Sequence, residues 1–247
     1  HRALAFTAEK RLTMDECLRL LETAKPLVPD LLLIPNITYA GEGAEGWVNM
    51  AKRFEDAGAD MIELNMCCPN MSYNLEVTSG GKPKITQRTG ASMGQHQDLA
   101  TEIIYSIKQA IQIPLTVKLT PENGTIAQLA HNAVSAGADA VSSNGNRLGI
   151  PPFDIDEPEK SCYHLQEEIS MSCYASSWLK PLAQRDVYEI RKVNGPDIFI
   201  FANGGITNWK DAVEMIIAGG NLIGVCAETL ISGYDIVRPM IKGLQEY

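Results

Sequence analysis

The sequence predicts an α/β fold, the (β/α)8 TIM barrel, from three observations. Segments with helical spacing of apolar residues alternate with short apolar runs, and such alternation implies parallel strand pairing. Small-residue corners join the two at 57–60 (AGAD), 136–139 (AGAD) and 218–221 (AGGN), where a glycine ends the helix. The length of 247 residues suits one barrel.

The predicted helices are amphipathic. A helix over 13–25 begins at Thr13, a residue type that caps helix N-termini. A helix over 45–57 places Trp47 and Phe54 on one face, and a helix over 96–111 has the same spacing. Each would pack one apolar face on a sheet.

The predicted strands are near-continuous apolar runs, as expected for strands covered on both faces. We find about six, at 31–37, 61–67, 114–120, 140–144, 197–203 and 221–227. Because a full barrel has eight, we predict a single barrel domain over 1–247 that is N-terminally incomplete: two leading βα units are absent or supplied by another chain. The long segments 70–95 and 149–176 are predicted active-site loops.

Composition narrows the class of protein. A formal net charge of -9 disfavours nucleic acid as a partner. No apolar stretch approaches the roughly 20 residues of a membrane span, and the first residues lack a signal peptide pattern. The six cysteines include no C-x-x-C pair, so we expect reduced thiols, no metal, no iron–sulfur cluster and a cytoplasmic location.

Polar residues follow the predicted strands, at the end where parallel α/β folds place their reactive groups. They are amides, one lysine, two thiols and a glycine pair, which together suit a planar polar heterocycle. The set is Asn65, Cys68, Asn70, Lys118, Asn144, Asn146, Asn203, Gly204, Gly205 and Cys226.

The segment ELNMCCPN at 63–70 resembles the N-x-x-C-P-N/H motif of cytosolic dihydroorotate dehydrogenases and of the C-terminal barrel of dihydropyrimidine dehydrogenases. The likeness continues through VKLTP at 117–121, LKPLA at 179–183, ANGGITNWKDAVEMIIAGG at 202–220 and the terminal GLQEY. It covers most of the chain from about residue 30. An ordered series of this kind is more specific than any one motif.

The resemblance implies an FMN-dependent oxidoreductase that acts on the C5–C6 (CH–CH) bond of a pyrimidine. Cys68 would be the general acid/base, while the flavin N5 exchanges hydride at the adjacent carbon. Asn65 and Asn70 would bind the substrate, because an amide offers both a donor and an acceptor. The simpler alternatives are a packing role for Cys68 and a turn role for Asn70.

The resemblance also assigns the cofactor site. Lys118 would contact the N1/C2 edge of the flavin, with a salt bridge to Glu63 as the alternative. Asn203, Gly204 and Gly205, together with Cys226 and Ala227, would bind the cofactor and its phosphate. Either Asn144 or Asn146 fills a position that contacts substrate and flavin, and we favour Asn144.

Three departures from the family pattern stand out. Ala227-Glu228 replaces Ser/Thr-Ala and puts a carboxylate near the phosphate. SCYASS at 172–177 replaces a Gly-Gly-x-Ser-Gly turn, so side chains there would crowd the flavin. The leading strands, which in the family carry another flavin-contacting lysine and a substrate asparagine, have no counterpart in this sequence.

The predicted partners are a small-molecule pyrimidine, a separate flavin or iron–sulfur electron-transfer subunit and, by analogy with relatives, further copies in a homo-oligomer. Two other hypotheses remain open. One is a diverged barrel subunit without catalysis, which the departures favour. The other is a flavin-free barrel that binds a phosphorylated metabolite, which leaves Asn65, Cys68 and Lys118 unexplained as a set.

Overall fold

The computed structural model describes residues 4–6 (backbone only), 12–68, 90–122, 124–143, 145–160 and 172–247. The helices are α1 Met14–Ala24, α2 Glu45–Asp56, α3 Gly90–Gly94, α4 Gln97–Ala110, α5 Ile126–Ser135, α6 Lys180–Asn194, α7 Trp209–Ile217, α8 Ala227–Ser232 and α9 Val237–Glu246. The strands are β1 Leu4–Phe6, β2 Asn36–Ile37, β3 Ile62–Asn65, β4 Leu115–Lys118, β5 Ala140–Ser142, β6 Arg147–Gly149, β7 Ser172–Ala175, β8 Ile200–Asn203 and β9 Leu222–Gly224.

Six strands form one parallel sheet in the order β2-β3-β4-β5-β8-β9. Each lies within one of the six predicted apolar runs, and consecutive strands are joined through helices. This is the strand order of a (β/α) barrel, in which successive strands are neighbours. The carboxyl ends of these strands therefore share one rim.

The left-handed glycines at the predicted corners are present. Gly58, Gly137 and Gly219 have φ values of 90°, 106° and 119°, a backbone conformation that glycine adopts without a Cβ clash. Thr13 caps α1 in a reciprocal capping box with Glu16. The corner glycines and the Thr13 cap can both be predicted from the local sequence alone.

The apolar core lies between the sheet and the helices. Trp47 and Phe54 of α2 pack with Ile62 and Leu64 of β3, and all four are almost fully buried. At the β2 edge the predicted strand over 31–37 is shorter than expected. Only Asn36–Ile37 pairs, while Leu31 and Leu32 remain 58% and 70% exposed.

A second sheet was not predicted. The strands β1, β7 and β6 pair antiparallel, with β7 in the centre. Its strands are three or four residues long, too short for a periodic signal. Two of them border the predicted loop 149–176, whose residues 161–171 lie outside the described part, as do residues 69–89 of the other loop.

Among the described residues, no helix combines the length and the apolar character that crossing a membrane requires.

Candidate active site

A cavity opens at the carboxyl ends of the parallel strands. It encloses about 940 Å³, counting its open mouth, within the roughly 300–1,000 Å³ typical of ligand pockets. Its walls come from five strand ends and from the β7 side. The lining residues used below are Cys68, Lys118, Gly145, Asn146, Ser176, Asn203, Gly204, Gly205, Thr207, Gly224, Cys226, Ala227 and Glu228.

The turn after β3 is organised around the side chain of Asn65. Its Oδ1 accepts hydrogen bonds from the backbone N–H groups of Cys67 and Cys68, at 3.3 and 3.1 Å. Its Nδ2 donates to Asn36 Oδ1 at 2.9 Å and to Cys68 Sγ at 3.2 Å. Because both ends of the buried amide are occupied, Asn65 fixes where the Cys68 thiol points.

Three thiols lie together at this rim. The sulfur atoms of Cys67 and Cys68 are 3.9 Å apart, and the Cys173 side chain of β7 acts on the pKa of the Cys68 thiol. Asn146 Nδ2 donates to Cys173 Sγ at 2.7 Å. Cys67 is fully buried, and its sulfur lies beside that of Cys68 because the chain leaves the extended conformation after Asn65.

The three thiols differ in protonation. The hydrogen bond from Cys173, then that from Cys67, lowers the pKa of the Cys68 thiol, and the Lys118 ammonium acts in the same direction. The hydrogen bond to Cys68, followed by burial, raises the pKa of Cys173. Burial raises the pKa of Cys67. The direction of the pKa shift at Cys68 favours the thiolate, which is the reactive form of cysteine.

Lys118 ends β4 and also lines the cavity. Electrostatic interaction with Cys67, then with Glu63 and Cys68, raises the pKa of Lys118 despite the opposing effect of burial. Among the described residues, Lys118 makes no hydrogen bond and no ion pair. Glu63 instead accepts from Ser142 Oγ at 2.5 Å and from Asn36 Nδ2 at 2.6 Å. The lysine ammonium is thus a fixed positive charge beside the cavity.

The glycine pair after β8 forms the opposite wall. Gly204 and Gly205 have φ values of 118° and 71°, which side chains rarely adopt. A Cβ on Gly204 would lie 2.4 Å from Gly145 Cα, and one on Gly205 would lie 2.4 Å from the Lys180 backbone nitrogen. The turn therefore approaches the backbone at Gly145 and at Lys180 more closely than side chains would allow.

Ion pairs hold this turn from behind. Asp211 of α7 accepts from Lys180 Nζ at 2.6 Å and from the Thr207 backbone N–H at 3.0 Å. Asn208 Oδ1 caps α7 by accepting from the Lys210 and Asp211 N–H groups.

The wall beyond β9 contains Cys226, Ala227 and Glu228. Glu228 accepts a hydrogen bond from Ser232 Oγ, one turn along α8, so its carboxylate is tied to its own helix. Asn203 Nδ2 donates to the Ser143 and Phe201 carbonyls at 2.8 and 3.1 Å. Its Oδ1 would be 1.7 Å from a Cβ on Gly224, so a side chain at position 224 would have to displace the Asn203 amide.

The comparisons with known proteins agree with this arrangement. The sequence model of the dihydroorotate dehydrogenase family matches residues 14–247. The chain belongs to the dihydroorotate dehydrogenase family. The resemblance read from the strand-end motifs is thereby confirmed.

Within the dihydroorotate dehydrogenase family, the chain is similar to two kinds of subunit. The NAD-dependent dihydropyrimidine dehydrogenase subunit PreA of Escherichia coli (strain K12) is 29% identical over 235 residues, 95% of this chain and 53% of that protein. The catalytic subunit of dihydroorotate dehydrogenase B (NAD(+)) from Petrotoga mobilis is 29% identical over 218 residues, 88% of this chain and 64% of that protein. The chain spans about half to two thirds of the length of these relatives.

Solved structures show the same fold. Ligand-free DHODH from Eimeria tenella superposes with a TM-score of 0.68 at 17% identity, covering 99% of this chain and 69% of that chain. The complex of that protein with ferulenol gives 0.68 at 16% identity, covering 95% and 64%. The predicted α/β barrel class is confirmed, with six of its strands among the residues that the structure describes.

The structure brings most of the predicted site residues of this family member to one cavity. Asn65 lies behind the cavity wall rather than in it, bonded to Cys68. Asn70 and Asn144 lie outside the described residues, and their predicted roles stay predictions. Those in the wall are Cys68, Lys118, Asn203, Gly204, Gly205, Cys226 and Ala227.

Sequence reasoning treated 172–177 as a source of crowding and missed what two of its residues do. Ser176 has φ 133° and ψ -177°, a region almost restricted to glycine, within the stretch where the family pattern has its Gly-Gly-x-Ser-Gly turn. Cys173, in the same stretch, acts on the pKa of the Cys68 thiol. The sequence did show that residues 172–177 depart from the glycine-rich family pattern. Only the fold shows which way each of these side chains points.

Proposed function

We propose that the chain is the cofactor-binding and substrate-binding part of an FMN-dependent oxidoreductase that acts on the C5–C6 (CH–CH) bond of a pyrimidine. The observation that carries the proposal is that Cys68 and Lys118 line one cavity. A proton-transferring thiol and a fixed positive charge are the two protein groups that coupled proton and hydride transfer needs. The family membership and the relatives' printed names support the same reaction class.

The residues present fit FMN. Lys118 offers an ammonium group that makes no hydrogen bond or ion pair with a described residue, and burial beside the cavity favours an anionic or electron-rich partner there. The Gly204–Gly205 turn offers backbone N–H donors for a phosphate, with Asn203, Cys226 and Ala227 in the adjoining wall. When bound, FMN supplies hydride transfer, a chemistry that no side chain provides.

The proposed work of Cys68 is proton transfer. Asn65 orients the thiol through its Nδ2 and fixes the turn through its Oδ1. The low pKa of Cys68 favours the thiolate, which accepts the proton from a saturated ring carbon and returns it in the reverse reaction. The charge on Lys118 helps retain that thiolate.

A pyrimidine matches the remaining polar groups. Its ring presents N–H donors beside C=O acceptors, which asparagine amides complement. Asn146 lies in the cavity wall, and Asn70 and Asn144 are proposed to complete the set. Since two relatives are named as subunits, we also propose a separate electron-transfer subunit; assembly into a homo-oligomer stays a prediction.

A diverged barrel without flavin is the second candidate. Two observations favour it: Ser176 strains the backbone within the stretch where the family pattern has a glycine-rich turn, and Glu228 adds a carboxylate to the cavity wall. Against it, the carboxylate is tied to Ser232 and Lys118 still lines the cavity.

The test is the visible absorption spectrum of the purified full-length protein, with FMN identified by chromatography after heat release. The proposal expects about one FMN per chain, retained or taken up from solution. A colourless protein that binds no added FMN would support the diverged barrel. Bound flavin without turnover of any pyrimidine would retain the cofactor assignment and overturn the substrate class.

A further inference from the structure

Lys180 and Asp211 form an ion pair behind the glycine turn, outside the proposed contacts with cofactor and substrate. Lys180 is the first residue of α6, and Asp211 lies in the first turn of α7. Lys180 Nζ donates to Asp211 Oδ1 at 2.6 Å and also pairs with Glu214 at 2.9 Å. Because two carboxylates of α7 share this ammonium group, its charge serves to hold α6 against α7.

The Gly204–Gly205 turn lies between two groups that Asp211 holds. On one side, a Cβ at Gly205 would lie 2.4 Å from the Lys180 backbone nitrogen, so the turn packs on the residue whose side chain binds Asp211. On the other side, Asp211 Oδ2 accepts the Thr207 backbone N–H at 3.0 Å and the Thr207 hydroxyl at 2.8 Å. Thr207 lines the cavity with the glycine pair. The carboxylate therefore fixes the turn from both sides.

Helix capping alone does not explain the contacts of Asp211. Asn208 Oδ1 already accepts from the N–H groups of Lys210 and Asp211, which is the usual contact of an N-cap residue. The Asp211 carboxylate reaches past that cap to Thr207 and across to α6, although the residue is only 9% exposed. A buried carboxylate needs such partners, and here they are the groups that border the turn.

We propose that Asp211 is a positioning residue for phosphate binding: through Lys180 and Thr207 it holds the Gly204–Gly205 turn so that backbone N–H groups of the turn stay available to a phosphate. Resting on the proposed function, that phosphate belongs to FMN. Both glycines have positive φ, 118° and 71°, and a turn that is fixed in advance loses less conformational entropy when a ligand binds. Loss of the Asp211 contacts should therefore weaken recognition of the phosphate and not of the flavin ring.

The experiment compares FMN with riboflavin, which has the same ring system and lacks the phosphate. Both Kd values are measured by the quenching of flavin fluorescence in the full-length protein, and their ratio reports phosphate recognition. Wild-type protein should bind FMN more tightly than riboflavin. Because Asp211→Asn loses the charge and one acceptor oxygen, we expect this preference for FMN to fall by roughly tenfold, with the riboflavin Kd nearly unchanged.

Asp139→Asn is the matched control. Asp139 also accepts from a lysine, Lys108 at 2.8 Å, and from a backbone N–H, that of Leu115 at 2.7 Å. Asp139 immediately precedes β5, so it lies at the end of the sheet away from the cavity. This variant should lose stability and keep the wild-type preference for FMN.

Two results would overturn the inference and leave the cofactor assignment in place. One is an Asp211→Asn variant with the wild-type preference for FMN. The other is an Asp211→Asn variant that binds both flavins more weakly by the same factor. Each is the result expected if Asp211 only stabilises the fold.

Lys180→Met covers the case in which Asp211→Asn does not fold. This variant removes the other half of the ion pair, so the preference for FMN should fall in the same direction. Lys210→Met should leave the preference unchanged, since Lys210 Nζ lies over the Trp209 ring. An unchanged preference in Lys180→Met would contradict the positioning role of the pair.

A wild-type protein that binds neither flavin would overturn the cofactor assignment, and inorganic phosphate then decides the inference. The phosphate Kd is measured from the broadening of the phosphorus NMR line as protein is added. Weaker phosphate binding by Asp211→Asn than by Asp139→Asn would support the positioning role. No phosphate binding by the wild-type protein, or equal binding by the two variants, would overturn it.

Discussion

The thiol of Cys68 and the ammonium group of Lys118 line the same cavity. They meet because β3 and β4 pair in parallel with Asn65 opposite Lys118, and because Asn65 then turns the chain so that Cys68 faces the rim. Two residues about 50 positions apart in sequence thus line one cavity. The predictions below test this arrangement.

Lys118→Met should weaken FMN binding. Interactions with a charged group contribute about 1.5–3 kcal/mol, so we expect the Kd to rise by roughly tenfold or more. The measurement is FMN titration followed by flavin fluorescence. Lys108→Met is the matched control, since Lys108 pairs with Asp139 on the outer face of α4. An equal loss of affinity in both variants would argue against a local role for Lys118.

Gly204→Ala should destabilise the protein more than Gly195→Ala. Both glycines have positive φ, 118° and 80°, but only at Gly204 would the added Cβ meet backbone, Gly145 Cα at 2.4 Å. Chemical denaturation should show a loss of about 1–2 kcal/mol for Gly195→Ala and a clearly larger loss for Gly204→Ala, together with weaker FMN binding. Equal losses would mean that the close approach at 204 is not maintained in solution.

Ser176→Gly should stabilise the protein. Ser176 has φ 133°, a conformation that costs a non-glycine residue roughly 1–3 kcal/mol, while glycine loses about 0.5–1 kcal/mol through backbone entropy. We expect a net gain of about 1 kcal/mol in unfolding free energy. Ser177→Gly, beside it in the 3-10 helix Ser177–Leu179, should instead be destabilising. A loss of stability in both variants would contradict the proposal that the backbone at Ser176 is strained.

Asp60 should contribute stability that depends on pH. The hydrogen bond from Lys25, then that from the Leu33 backbone N–H, lowers the pKa of Asp60 below 3.8. A lowered folded-state pKa stabilises the protein above the unfolded-state value, and the contribution disappears as pH falls through the folded-state value. Asp60→Asn should therefore cost roughly 1 kcal/mol at pH 7, and the difference should shrink towards pH 2. A difference independent of pH would exclude the ionic contribution.

Much of the fold was predictable because its signals are local. The corner glycines, the Thr13 cap and the six apolar runs each depend on neighbouring residues, and parallel order followed from the alternation. The antiparallel sheet was not predictable in this way, since β1 and β7 pair across about 170 positions and neither is long enough to show a period.

The candidate site was predictable as a set of strand ends but not in its contacts. Motif resemblance brought Cys68, Lys118 and Gly204 together because parallel strands share a rim. It did not reveal that Asn65 is engaged by the Cys68 turn or that Cys173 approaches that thiol. Such contacts depend on side-chain direction across separate sheets, which sequence spacing does not encode.

The most direct test of the central claim is anaerobic mixing of flavin-loaded full-length protein with 5,6-dihydrouracil or dihydroorotate, followed by the loss of flavin absorbance. Wild-type protein should bleach with at least one substrate. Cys68→Ser should retain its flavin and bleach about 100-fold more slowly or worse, while Cys17→Ser matches wild type. Bleaching of Cys68→Ser at the wild-type rate would contradict proton transfer by Cys68.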